Sequence, residues 1–351
     1  MMKKPLILLV SLVLMLAVSA AGCIDVGQPA SNRTITDMTG AEVVIPAEIH
    51  TVVNLWPASN SVMLCMGAGD KLVGTTAFTK KLFWSQKVYP GIVDVPVATD
   101  NVEELLTLSP DLIITPQQKT AETLRAAGLP AICLMFSDYD TMKQAFTILG
   151  QAFGGEYIEK AAKWSDLVDQ NTARVQAAVG SIPEDKKPVV YYIQGQSNQG
   201  LYATFSANSI MEDWTEVSGG IFASTLLNLS GTTASAEDVL ALNPDVVIIG
   251  GPAQHELYEE LMAAEEWKGI NAVKNGRVYT NPNGLFPWER FGMESALQIL
   301  FAASVIHPDL FQVDMVSEVQ DFYKEFVGIE LTKEEAQNMI KGYGPKGEDY
   351  T

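Results

Sequence analysis

Val102-Glu-Glu-Leu-Leu-Thr-Leu-Ser-Pro-Asp-Leu-Ile-Ile114 and Ala236-Glu-Asp-Val-Leu-Ala-Leu-Asn-Pro-Asp-Val-Val-Ile248 align without a gap. Glu, Leu, Leu, Pro, Asp and the final Ile coincide, and most other pairs are conservative. Each stretch reads as a short helix, a Pro-Asp turn that ends it, and a continuous apolar run of strand length. An apolar run without alternation is the pattern of a parallel strand covered on both faces. An ungapped match of this length argues for one plan used twice, in two related lobes.

The rest of the chain fits that plan. Thr51–Leu55, Ala131–Met135 and Val189–Ile193 are further apolar runs that alternate with helical patterns, which predicts an α/β fold with parallel sheets. Between the lobes, Glu156 to Ala178 is free of Gly and Pro, with Tyr157, Ala161, Trp164, Leu167 and Val168 near helical spacing. A helix of that length spans about 35 Å, enough to serve as a stiff strut. Gly154-Gly155 and Gly180-Ser-Ile-Pro183 mark its ends. The expected organisation is a lobe over 35–153, the connecting helix over 154–182, a second lobe over 183–311, and C-terminal helices with a tail over 312–351. The second C-terminal helix is expected to start at Thr332, with Glu335 completing a capping box, and to stop at Gly342.

Residues 1–22 read as an export signal: Lys3 and Lys4, an apolar stretch from Pro5 to Val18, then Ser19-Ala-Ala-Gly22 before Cys23. This looks like a bacterial or archaeal lipobox in which Cys23 carries lipid, with Ala20 at the position where Leu is commoner. An ordinary secretory signal with an incidental cysteine is the alternative. Residues 23–34 are polar with Gly and Pro, as a membrane tether should be. Loss of Lys3 and Lys4 takes the net charge from −19 to −21. That acidic balance excludes nucleic acid as a partner, because phosphate backbones are gripped by clustered Lys and Arg.

Three histidines and three cysteines, none closely spaced, argue against zinc ribbons and His-cluster metal sites. Cys65 and Cys133 sit in apolar runs and read as buried thiols, with a disulfide between them left open. Enzyme signatures are thin. His255-Glu-Leu-Tyr-Glu259 lacks the second histidine of a zinc-protease helix, and Gly342-Tyr-Gly-Pro-Lys-Gly347 follows a helix rather than a strand. The expectation is no enzyme, no cofactor and no metal site.

These features together resemble the iron-siderophore and vitamin B12 family of substrate-binding proteins for ABC importers, over nearly all of residues 35–311. Asp37-Met-Thr-Gly40 with Val44-Ile-Pro46 is similar to its opening hairpin. Thr51-Val-Val-Asn-Leu with Gly67-Ala-Gly-Asp-Lys-Leu-Val-Gly74 is similar to its first strand, helix and second strand. Ser218-Gly-Gly220, Trp267 to Lys274, Gly276-Arg-Val-Tyr279 and His307-Pro-Asp-Leu-Phe311 match its second half. The chain has Asn60-Ser61 where the family usually has Thr-Glu. The resemblance implies two Rossmann-like lobes, a rigid connecting helix, a ligand held in the cleft with modest closure, and delivery to a permease dimer with its ATPase subunits. It also implies that Glu103 and Glu237, one per lobe, dock onto arginines of that permease, although acids in a first helical turn also favour the helix dipole.

Open α/β sheets bind ligands at the carboxyl ends of their strands. Loops there place Trp56, Phe83, Trp84, Tyr202 and Trp288 as candidate aromatic walls, with Ser59, Asn60 and Gln117 as polar contacts. Arg290 is one of only five arginines and would grip an anion or carboxylate, unless it pairs internally with Glu289 or Asp213. Few other cations than Lys80 and Lys81 lie in these loops, so a neutral or weakly charged iron chelate, a haem or a corrinoid is the expected cargo. A small oxyanion such as molybdate or tungstate is the alternative, held by Ser59, Asn60, backbone amides and Arg290. From other classes, a ligand sensor or a metal-cofactor enzyme on the same scaffold is kept as an alternative.

Overall fold

The structure is a computed structural model and describes residues 32–196 and 198–350. The export signal, Cys23 and most of the tether lie outside the described residues. A hairpin of β1 (Arg33–Thr36) and β2 (Glu42–Ile45) opens the described chain.

The first lobe holds four parallel strands, β3 (Val52–Asn54), β4 (Leu72–Gly74), β5 (Leu112–Thr115) and β6 (Ala131–Cys133), in the order β4-β3-β5-β6. Its helices are α1 (Pro57–Cys65), α2 (Ala77–Lys81), α3 (Phe83–Val88), α4 (Val102–Leu108), α5 (Gln118–Ala126) and α6 (Tyr139–Phe153). The connecting helix α7 (Glu156–Val179) follows. The second lobe holds β7 (Val189–Ile193), β8 (Ile221–Phe222), β9 (Val246–Ile249) and β10 (Val278–Thr280), ordered β10-β9-β7-β8. Read from its other edge, this is the first sheet again. Around it lie α8 (Ile210–Val217), α9 (Ala223–Leu226), α10 (Ala236–Leu242), α11 (Gln254–Ala263), α12 (Asn271–Lys274) and α13 (Ser295–Ile306). Two further helices, α14 (Met315–Phe322) and α15 (Lys333–Ile340), follow, and Thr332 and Glu335 form the expected capping box.

The repeated stretch is one structural device made twice. Asn101 accepts the Glu104 N–H at 3.1 Å and Ser235 accepts the Asp238 N–H at 3.0 Å, capping α4 and α10. Both helices end in a left-handed residue, Ser109 at φ 45° and Asn243 at φ 51°. Proline then forbids another turn. The following aspartate ties the start of the neighbouring strand: Asp111 accepts the N–H groups of His50 and Thr51 at 2.8 and 2.9 Å, and Asp245 accepts that of Val189 at 3.0 Å. The coincidence of Pro and Asp in the sequence therefore has a mechanical cause: one stops a helix and the other sets strand register.

Both sheets are covered on both faces. One face of each joins a core that runs through both lobes and α7, including Leu112, Ile114, Val246 and Ile248. The other faces line separate cores, with Val53 and Ile113 in one and Val247 and Ile249 in the other. Helix α7 is anchored as well as long: Trp164 Nε1 donates to the Met293 carbonyl at 2.6 Å and Asn171 Nδ2 to the Ala296 carbonyl at 2.8 Å. Cys65 and Cys133 are both free and buried. Strands β3 and β6 end at Asn54 and Cys133, short of the expected Leu55 and Met135, although the Leu55 and Leu134 N–H groups still donate to the β5 carbonyls of Ile114 and Thr115 at 2.9 and 3.0 Å.

Candidate functional site

The two walls of the seam are built differently. In the first lobe, β3 ends in a neutral knot. Asn60 Nδ2 donates to the carbonyls of Asn54 and Trp56 at 3.0 and 2.9 Å, and its Oδ1 accepts from Thr75 Oγ1 at 2.8 Å. Ser59 Oγ donates to Asn54 Oδ1 at 2.6 Å. Ser59 and Asn60 are fully buried. They were expected on a ligand; the structure instead places them beneath the wall, with their hydrogen bonds inside the lobe. The knot fixes Trp56, whose ring centroid lies 4.3 Å from that of Phe136 and 6.0 Å from that of Phe291 in the other lobe.

The second lobe's wall rests on buried charge. Glu289 is wholly buried; it accepts from Tyr192 Oη and Asn281 Nδ2, each at 2.8 Å, and pairs with Arg290 Nε at 3.4 Å. Arg290 also donates to the Gln194 carbonyl at 3.3 Å and lies over the Phe205 ring. Burial pushes the Glu289 carboxyl above its usual range, against the opposing pull of the guanidinium. The internal pair thus takes the cation that the sequence offered to an anion. A second buried acid, Glu294, accepts the N–H groups of Leu285 and Phe286 at 3.1 and 3.2 Å and the hydroxyl of Tyr323. Burial raises its pKa to about 7. The ends of β7 and β9 approach so closely that a Cβ on Gly195, at φ 59°, would lie 1.4 Å from the Gly250 carbonyl oxygen.

A cavity of about 170 Å³ lies where the α2–α3 region of the first lobe meets loops of the second. Phe78, Lys81 and Phe83 face Asn283 and Pro287 across it, and Tyr350 closes one side. Of the expected aromatics, Trp56 and Phe83 reach the seam. Trp84 is in the interior instead, donating to the Tyr343 carbonyl at 2.9 Å. Tyr202 stacks on Trp267 with centroids 5.9 Å apart, in the second lobe's own core. Trp288 is wholly buried. Gln117 is exposed at the end of β5, and Lys80 turns away to the Val95 carbonyl. A larger hollow of about 720 Å³, lined by His255, Tyr279 and Ile340 among others, draws on the second half of the chain alone. Sequence reasoning missed Phe136, Phe291 and Tyr350, and from the ligand-contact loop of Asn283 to Arg290 it picked out Trp288 and Arg290 rather than Asn283. Phe136 follows a parallel strand and was findable by the rule that found Trp56; Tyr350 carried no signal.

Glu103 and Glu237 are exposed on the first turns of α4 and α10. Their neighbours are engaged, Glu104 with Thr99 Oγ1 at 3.2 Å and Asp238 with Ser235 Oγ at 2.6 Å. No potential metal site of three or more His, Cys, Asp or Glu occurs among the described residues.

Residues 52–285 match the family model described as periplasmic binding protein. The chain is 25% identical over 323 residues to an uncharacterised ABC transporter substrate-binding lipoprotein of Bacillus subtilis, YvrC, covering 85% of this chain and 96% of that one. It is 22% identical to the molybdate-binding protein MolA of Haemophilus influenzae, covering 84% and 91%. The molybdate-bound structure of MolA superimposes with a TM-score of 0.73 at 20% identity, over 86% of this chain and 99% of that one. A periplasmic solute-binding protein of Veillonella parvula superimposes with a TM-score of 0.76 at 24% identity, over 89% and 97%. With two like-ordered parallel sheets, an anchored connecting helix and a cleft between them, the chain belongs to the periplasmic binding protein family and is a binding protein rather than an enzyme.

Proposed function

We propose that this protein is an extracytoplasmic, lipid-anchored solute-binding protein of an ABC importer, and that its cargo is a small oxyanion of the molybdate or tungstate kind. The cavity carries the choice of cargo. At about 170 Å³ it suits a compact solute; pockets for drug-sized ligands run to roughly 300–1,000 Å³, and a haem or corrinoid needs at least that. Lys81 supplies the cation on the cavity, in place of Arg290, which its own lobe engages. The likeness to a molybdate-binding protein supports this reading. Titration calorimetry with molybdate, tungstate, a ferric hydroxamate, haem and cobalamin tests it; the expected result is binding of the two oxyanions, and tight binding of a chelate alone would reject it.

An iron chelate or another planar ligand is the second reading. Trp56, Phe136 and Phe291 meet across the lobes, and separation of the lobes would present their faces to such a cargo.

Delivery is assigned to Glu103 and Glu237. Each stands free of a side-chain hydrogen bond or ion pair among the described residues, at matching places in the two lobes, which suits a partner of two-fold symmetry presenting the same basic patch twice. The Glu103→Ala/Glu237→Ala double variant is expected to bind cargo normally while uptake collapses. Normal uptake would leave them as helix-end acids. The anchor rests on Cys23 and its preceding small residues, with the lipoprotein name of YvrC in support. Cys23→Ala should release the protein from membranes in a detergent-partition assay.

A further inference from the structure

The segment after α15 is not an idle tail. It leaves the second lobe, where Tyr343 stacks on His255 with ring centroids 4.0 Å apart, and His255 contacts the Lys341 carbonyl and Asp349 at 2.9 and 3.2 Å. It then touches the first lobe: Trp84 Nε1 donates to the Tyr343 carbonyl at 2.9 Å. A tight turn follows, with Gly344 N–H on the Glu348 carbonyl at 2.8 Å and Gly347 N–H on the Gly344 carbonyl at 3.0 Å. The turn delivers Tyr350 to the inter-lobe cavity, its ring centroid 5.1 Å from that of Phe83.

Two of the residues lining that cavity each carry a buried polar atom without a protein partner. One is Tyr350 Oη and the other is Oδ1 of Asn283, a residue only 3% exposed. Buried hydroxyl and carboxamide groups are normally satisfied, and leaving them unpaired is costly. The two residues come from separate parts of the chain, yet both line one small space together with Lys81.

We propose that Tyr350 and Asn283 are specificity-determining ligand contacts, so that the segment from Gly342 to Tyr350 forms part of the binding site. The proposal rests on the small-oxyanion reading above for its choice of probe. A tyrosine hydroxyl donates to an oxyanion, and an asparagine carboxamide can donate through its NH₂ once oriented by the ligand. Burial, and then the charges of Glu294 and Glu348, push the Tyr350 hydroxyl above its ordinary range, which keeps it protonated as a donor. The aromatic ring meanwhile fills one side of the cavity, favouring a compact guest.

The test is calorimetric titration of wild type, Tyr350→Phe and Asn283→Ala with molybdate, tungstate, a ferric hydroxamate, haem and cobalamin, together with thermal unfolding of each ligand-free protein. Tyr350→Phe keeps the ring and removes one donor. It should weaken molybdate binding about tenfold while the ligand-free unfolding midpoint stays level or rises, an outcome that a packing role alone would not give. Asn283→Ala should weaken it similarly. Oxyanion affinities within twofold of wild type in both variants would overturn the proposal and leave the small-oxyanion reading standing. If wild type binds only a chelate, that reading fails, and the same two variants measured on the chelate decide the contacts. Wild type binding none of the five would overturn both.

Discussion

The two lobes share a scaffold and differ in what supports the site. Strand order, helix caps, left-handed helix ends and strand-setting aspartates recur from one sheet to the other. At the seam the likeness stops. The first lobe's wall rests on a neutral knot of Asn54, Ser59, Asn60 and Thr75, and the second's on the buried pair of Glu289 and Arg290. The shared geometry makes the cleft, and the chemistry behind each wall differs, since loops after strands tolerate more change than the parts that set register.

The largest expected effects come from breaking those two supports. Glu289→Ala leaves the Arg290 charge without its partner in a desolvated setting and should cost about 3–5 kcal/mol of stability. Asn60→Ala leaves buried neutral groups unpaired and should cost about 2–3 kcal/mol. Chemical denaturation of both variants checks the order; a costlier Asn60→Ala would mean that the neutral knot holds its wall more firmly than the charge pair holds the other.

The same contrast should appear in pH dependence. Glu294 gives up its proton near 4.5 when unfolded and near 7 in the fold. Between those values the folded state holds more protons, so stability falls as pH rises from about 4.5 to about 7 and then levels off. The group accounts for up to about 3 kcal/mol of that fall. Asp213, raised from 3.8 to about 6 by burial and by neighbouring acids, acts in the same direction on a smaller scale because it is half-buried. Glu294→Gln should flatten the unfolding midpoint between pH 5 and 7; an unchanged slope would place the titrating group elsewhere.

The smallest effect separates the two copies of the repeat. Ser109→Gly relieves a left-handed residue and should stabilise by about 0.5 kcal/mol. Asn243→Gly relieves the same strain but loses the acceptor of the Asn271 N–H, at 2.8 Å, and should be neutral or destabilising by about 1 kcal/mol. Equal shifts in both would mean that the side chain at 243 contributes nothing beyond its backbone conformation.

The fold was legible because its determinants are local. Apolar runs, a Gly- and Pro-free stretch and the Pro-Asp turn each state their structure within a few residues. The site was only half legible, since position after a strand says where a loop lies and not which way its side chains turn. Trp56 and Trp84 look alike in sequence; one reaches the seam and the other donates to a carbonyl of the chain's last segment. Asn60 reads as a ligand contact and is a knot, because its partner Thr75 is brought beside it by the pairing of β3 with β4. Tyr350 was out of reach, as its place depends on stacking between His255 and Tyr343.

The anchored helix α7 has a kinetic consequence. A rod pinned to the carbonyls of Met293 and Ala296 through Trp164 and Asn171 stores the relative pose of the two lobes before any cargo arrives. Capture is then expected to need little ordering of the chain, and the arrival rate to follow diffusion and steering rather than a slow shutting motion. The same stiffness would make unloading the harder step: thermal bending of such a rod yields small excursions, and parting the walls would call for a partner that grips both lobes at once.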